Sequence, residues 1–177
     1  GLFGSIREAA AGVSARANWV RIDASALAGL ADVLAQSVEA PATDPAHHRR
    51  EDDASTLAFV LGLDAVNFGS GWFPLLRKRA GGSGYFTIAS ALEAHFDREG
   101  PIDPAILAGI DGDACARIFG QQDAPAPVGD LMDLFAESWR DLGALVMGRF
   151  GGSFARLVEC ADHRAETLVE ILASMPL

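Results

Sequence analysis

Thr56-Leu57-Ala58-Phe59-Val60-Leu61-Gly62-Leu63-Asp64-Ala65-Val66-Asn67-Phe68-Gly69-Ser70-Gly71-Trp72-Phe73-Pro74 runs from a nearly unbroken apolar segment into a glycine-rich turn. Leu57, Phe59, Val60, Leu61, Leu63, Ala65 and Val66 leave no polar face, and a helix that is apolar all round is a buried one. One acid, Asp64, and one amide, Asn67, are set into it. Polar groups at the mouth of a buried helix need partners. The helix is expected to break at Gly69-Ser70-Gly71 and deliver Trp72 and Phe73. Large aromatics beside polar groups on a glycine turn suit one wall of a flat pocket.

Upstream, Leu2, Ile6, Ala9, Ala10, Val13 and Ala17 recur at spacings of three and four, an amphipathic helix from about residue 2 to 17. Asn18 to Ile22 alternates and reads as extended. Asp23 caps a second helix with Leu27, Leu30, Leu34 and Val38 as its stripe, and Pro41 ends it. Residues 42–53 are polar and read as a loop carrying His47, His48, Arg49 and Arg50, with Asp52 and Asp53 as caps for the helix that follows.

Downstream, Gly81-Gly82-Ser83-Gly84 makes a second break before a helix marked by Tyr85, Ile88, Ala89, Leu92 and Phe96 and closed by Gly100-Pro101. Asp103-Pro104 opens a short helix. Asp111-Gly112 turns the chain into another, marked by Cys115, Ile118 and Phe119, so the two form a hairpin. Residues 121–129, with Pro125 and Pro127, read as a linker. From Asp130 a long helix carries Leu131, Leu134, Phe135, Ser138, Leu142, Leu145 and Val146 as far as Gly151-Gly152. Phe154, Leu157 and Val158 mark the next helix, and Leu168, Val169, Ile171 and Leu172 the last. No alternating run exceeds about five residues, so the reading is all-α, one multi-helix domain over residues 1–177.

The 177 residues are half hydrophobic and carry a net charge of −10. A broad nucleic-acid surface needs clustered Lys and Arg, which this balance argues against. The densest basic run, Arg77-Lys78-Arg79, is either a solvated loop or a contact for a phosphate. The longest apolar run falls short of the ~20 residues that span a bilayer. No signal-peptide pattern is visible. Cys115 and Cys160 make no disulfide framework or zinc pattern. The expectations are a cytoplasmic protein without membrane contact, metal or cofactor.

No strong catalytic motif appears. His47-His48 lack a carboxylate cage and suit solvated loop positions, and His48 reaches the Asn67 end only if its loop folds back. Asp64 is either a buried structural acid or a ligand contact, and burial would raise its pKa. Asn67 offers a donor and an acceptor to a base edge, or caps the helix end. Trp72, Phe73, Tyr85 and Phe86 either pack as core or stack on a planar heterocycle. Gly151-Gly152-Ser153 is a helix-helix turn with Ser153 as cap, or an anion site at a helix start.

Leu63 to Phe73, with its Asp64-Ala65-Val66-Asn67-Phe68-Gly69-Ser70-Gly71-Trp72 core, resembles the signature of the queuosine salvage family, the queuosine 5′-phosphate N-glycosylases. His48 before the signature, Ser83-Gly84-Tyr85-Phe86, Gly100-Pro101-Ile102 and Arg149-Phe150-Gly151-Gly152-Ser153-Phe154 agree with it in order and spacing. The resemblance implies a helical fold similar to that of DNA glycosylases. It also implies a hydrolase that releases queuine from queuosine 5′-monophosphate, a small-molecule substrate, with no direct nucleic-acid contact. It carries His48, Asp64, Asn67, Phe68, Trp72, Tyr85 and Phe86 as substrate-binding candidates. The family pattern continues beyond this chain's last helix with Arg-Asp, Tyr-Lys-Arg-Ala-Gln and Ala-Asp elements, the last supplying the expected catalytic aspartate. The chain is therefore expected to form one wall of the pocket, completed by a C-terminal segment or partner chain. No catalytic residue is assigned within it. Two rival readings are a non-catalytic nucleotide- or base-binding module and a helical interaction domain.

Overall fold

The computed structural model describes residues 1–37, 49, 53–79 and 82–176, and these divide into two units, Gly1–Ala42 and Thr43–Leu177. In the first unit, α1 (Leu2–Arg16) and α2 (Ala24–Ser37) are joined by a non-helical segment. Asp23 caps α2 as expected, its Oδ1 accepting from the amides of Ser25 and Ala26 at 3.0 Å each. The alternating residues 18–22 pair with no strand among the described residues, and Trp19 is 97 % exposed.

The second unit is helical throughout its described residues: α3 (Asp53–Ala65), a 3₁₀ turn (Phe73–Leu75), α4 (Gly84–Glu99), α5 (Pro104–Leu107), α6 (Gly112–Phe119), α7 (Ala126–Phe150), α8 (Phe154–Cys160) and α9 (Ala165–Leu172). All-α is therefore the fold class, and no described helix is long and apolar enough to cross a membrane. The longest helix, α7, is the axis of the core. Val128, Leu131, Met132, Phe135, Ala136, Trp139, Leu142 and Val146 are all buried along it, and α3, α5, α6 and α8 pack against it. Phe135 and Trp139 meet Phe119 of α6 with ring centroids 5.6 and 5.3 Å apart. Cys115 is part of the same core, and burial pushes its thiol up to about 12, so it behaves as a small hydrophobe.

Asp103 and Ser153 cap their helices as expected, and Ser83 and Asp111, read as a break and a turn, prove to be caps as well. Asp53, expected as a cap, is instead the first residue of α3, and Asp52 lies outside the described residues. Ser83, Asp103, Asp111 and Ser153 each accept a hydrogen bond from a first-turn amide of the helix they precede. Gly151 ends α7 in the left-handed conformation at φ 61°, which glycine adopts without penalty.

Two boundaries and one burial pattern differ from expectation. The long helix starts at Ala126 rather than Asp130, so the linker is shorter and Pro127 lies inside α7. A first-turn amide has no helical partner to lose, so proline costs nothing there. The signature helix stops at Ala65, before Asn67 and the Gly69 turn. Its last turn tightens, with the Val66 amide donating to Leu63 O at 3.1 Å and the Asn67 amide to Asp64 O at 3.2 Å. Nor is α3 buried all round. Ala58, Phe59, Leu61 and Leu63 are buried, but Val60 is 43 % exposed and Asp64, four residues on, is exposed beside it. One outward stripe thus survives in a sequence whose composition showed none.

The polar segment before α3 also holds a surprise. Arg49, read as a loop cation, is buried. Its Nε donates to Ser55 Oγ at 3.1 Å, and its Nη1 donates to Glu93 Oε1 at 3.0 Å and Asp97 Oδ1 at 3.1 Å. Its guanidinium lies 5.5 Å from the Phe96 ring centroid. This cation bolts the start of α3 to α4.

Candidate functional site

The outward stripe of α3 leads to a corner where several of the proposed binding residues lie. Asp64 and Asn67 are exposed, Phe68 is 38 % exposed and Phe86 40 %, and Trp72 and Tyr85 are half-buried. The corner is therefore open to solvent rather than sealed with hydrocarbon.

Backbone geometry positions these groups. Gly69 sits at φ 79°, where other residues are strained, and a Cβ there would lie 2.6 Å from Leu131 Cδ1. The chain can therefore turn tightly against α7. The turn closes with the Trp72 amide donating to Gly69 O at 2.9 Å, which brings Trp72 back over the glycine. Phe73 then docks on the start of α4, where a Cβ on Gly84 would lie 2.4 Å from Phe73 Cβ. Tyr85 and Phe86 follow at once, their rings edge to face at 5.5 Å. Phe68 is steadied by Phe135, edge to face at 5.2 Å.

The polar groups are unspent. Among the described residues, the Asp64 carboxylate, the Asn67 side-chain amide and the Tyr85 hydroxyl make no hydrogen bond. Partial burial raises the Asp64 carboxyl above its ordinary value even though its edge is open to water. Tyr85 is raised as well, by burial first and then by the Asp64 charge, which places the two groups in electrostatic reach. At neutral pH the corner presents a carboxylate acceptor, a phenolic donor, an amide offering both, and aromatic surfaces.

The Asp64 shift has a testable sign. A carboxyl raised on folding favours the native state below its unfolded pKa, and that contribution is lost as pH rises through the folded value. Asp64→Asn should therefore melt higher than the parent at pH 7. The gain should shrink to nothing below about pH 4, where both carry a neutral side chain. Thermal melts of both proteins across pH check this.

Sequence reasoning placed these residues but missed what holds them. Trp139 Nε1 donates to Gly62 O at 2.7 Å and Ser138 Oγ to Ala65 O at 2.5 Å, both from within the α7 core. These side chains satisfy carbonyls in the last turn of α3 that the helix itself leaves open. In the sequence Ser138 is one position of an apolar stripe, and its hydroxyl is the available signal. His48 lies outside the described residues. The Gly151-Gly152-Ser153 element resolves to its plainer reading, with Ser153 Oγ accepting from the Arg156 amide at 3.2 Å. Among the described residues no cluster of His, Cys, Asp and Glu is arranged to hold a metal.

Comparison with known proteins gives this geometry a context. Residues 47–176 match the family model described as queuosine salvage protein. A protein of Sphaerobacter thermophilus named queuosine 5′-phosphate N-glycosylase/hydrolase is 32 % identical over 166 residues, covering 90 % of this chain and 49 % of that protein. The chain thus spans about half the length of the curated relative it matches.

Proposed function

The chain belongs to the queuosine salvage protein family, and we propose that it supplies the base-binding wall of an N-glycoside hydrolase that frees queuine from queuosine 5′-monophosphate. The observation that carries this reading is the open corner whose polar groups have no partner among the described residues. Here a carboxylate, an amide and a phenol sit among four aromatics, the mixture that a flat, hydrogen-bonding heterocycle requires.

In this role Trp72, Phe68 and Phe86 give the ring its apolar surfaces. Asn67 and Tyr85 read its edge, and Asp64 accepts from a ring N–H. Cleavage of the glycosidic bond builds positive charge on the ribose and needs a carboxylate beside the sugar carbon. That group belongs to the part of the protein beyond this wall, so Asp64 is a binding residue. The freed base would return to tRNA modification in the cytoplasm.

The test supplies queuosine 5′-monophosphate to the intact protein and follows free queuine by chromatography. Release is expected, and Asp64→Asn should lower kcat/KM about 10- to 100-fold, the range for losing a hydrogen bond to a charged group. An intact protein that binds queuine without releasing it from the nucleotide would favour the non-catalytic module instead.

A further inference from the structure

We infer that a basic bay on another face of the second unit, bounded by Arg77, Lys78, Arg79, Arg98 and Arg117, binds a small phosphate-bearing anion. The bay is a cavity of about 280 Å³ with no carboxylate in its lining, and Ala91 and Ala94 of α4 leave its floor open. Five of the chain's 14 Lys and Arg residues converge there, in a protein of net charge −10. Gathering cations in one concave place costs electrostatic energy that a bound anion offsets.

The bay is built, not a chance meeting of surface side chains. Gln121 is buried. It accepts from the Arg77 amide at 2.9 Å and donates to Arg77 O at 3.2 Å and Phe119 O at 2.9 Å. That clamp pins the basic loop to the end of α6. The Arg79 amide adds a bond to Thr87 Oγ1 of α4 at 3.3 Å. Lys78 Nζ donates to Phe73 O and Arg79 Nη1 to Ser90 O, contacts that hold both cations without neutralising them. Among the described residues, the acids paired with these cations are exposed. Asp123 lies 3.7 Å from Arg77, and Glu99 lies 3.1 Å from Arg98, and such pairs contribute little. Arg117 makes no hydrogen bond or ion pair among the described residues. A guanidinium on α6 facing a pinned cationic loop fits the forked recognition of phosphate.

Size and position narrow the ligand. A nucleic-acid backbone needs an extended basic stripe, whereas these charges surround a hollow. A second cavity of about 650 Å³ adjoins through the shared Arg98, Arg117 and Ile118, with Ile102, Ile106 and Ile110 on its wall. It has room for the organic part of a phosphate ester. On α4, Ala91, Ala94 and Arg98 stand about 180–240° around the helix from Tyr85. A phosphate held here is therefore not the one joined to a base held at Asp64 and Tyr85, and the two proposals fail or stand separately.

Calorimetric titration of the 177-residue chain with inorganic phosphate, pyrophosphate and phenyl phosphate at low salt tests the assignment. Saturable binding that weakens with added salt is expected, and phenyl phosphate should bind more tightly than inorganic phosphate if the adjoining cavity takes the ring. Arg117→Ala and Arg98→Ala should each weaken pyrophosphate about tenfold, while the surface change Arg156→Ala leaves it unaltered. Arg117→Ala should melt like the parent without ligand, because that side chain holds nothing in the fold. Absence of saturable binding, full affinity in the Arg98→Ala/Arg117→Ala double variant, or tighter binding of a single-stranded oligonucleotide at equal phosphate concentration would overturn the proposal.

Discussion

Gly143→Ala is expected to destabilise the second unit by about 2–4 kcal/mol, at the upper end of what overpacking a core costs. A Cβ at Gly143 would lie 2.4 Å from the Ala108 amide nitrogen and 2.7 Å from Pro104 O. Both are backbone atoms of α5 and its C-terminal turn, so no side chain can rotate aside. The α5 segment would have to lift off α7, and with it Leu107 would lose its buried place. Gly148→Ala, five residues along the same helix, meets nothing within 4 Å. That change should instead stabilise by about 0.5–1 kcal/mol, the ordinary gain of alanine over glycine inside a helix. Urea unfolding of the three proteins measures the contrast. Equal midpoints for the two variants would show that α5 does not rest on the bare backbone of α7.

Trp139→Phe should cost about 2–3 kcal/mol, the sum of a small cavity and an unpaired buried carbonyl. The carbonyl at risk is Gly62 O. Its helical partner would be the Val66 amide, which turns to Leu63 O instead, so the indole N–H is the replacement. Ser138→Ala removes the parallel bond to Ala65 O and should cost less, about 1 kcal/mol. The consequence reaches the proposed site, because Asp64 and Asn67 ride on that last turn. Amide exchange at residues 64–67 should accelerate in Trp139→Phe by more than at the start of α3. Uniform acceleration along the helix would mean that Trp139 stabilises the core without positioning the corner.

Much of this was legible before any coordinates. Local signals were decisive wherever a side chain meets its own backbone. Asp23, Asp103 and Ser153 cap the helices that their positions announced, and Gly151 ends α7 where glycine permits a left-handed residue. The signature residues from Leu63 to Phe73 pointed to the family that residues 47–176 match. The errors share a cause. Composition cannot say which side of a helix will find a neighbour, so α3 read as buried all round although Val60 and Asp64 face water. Arg49 read as a residue of a polar loop because its partners, Glu93 and Asp97, lie more than forty residues away in the chain.

The sequence by itself determined the helical class, several caps and the turn residues, because each depends on neighbours within about four positions of the chain. It showed the family through short elements that keep their order and spacing from the signature to Phe154. Tertiary packing alone decided which polar groups are spent and which stay available. Trp139 and Ser138 satisfy carbonyls at the end of α3 from across the core, while Asp64 and Asn67 on the same turn make no side-chain hydrogen bond among the described residues. Gln121 pins a basic loop that sequence reads as free, and so turns five scattered cations into one concave surface. The physical reason is the same in both cases. A hydrogen-bond partner or a counter-charge is a matter of distance in space, and only the packed fold fixes those distances.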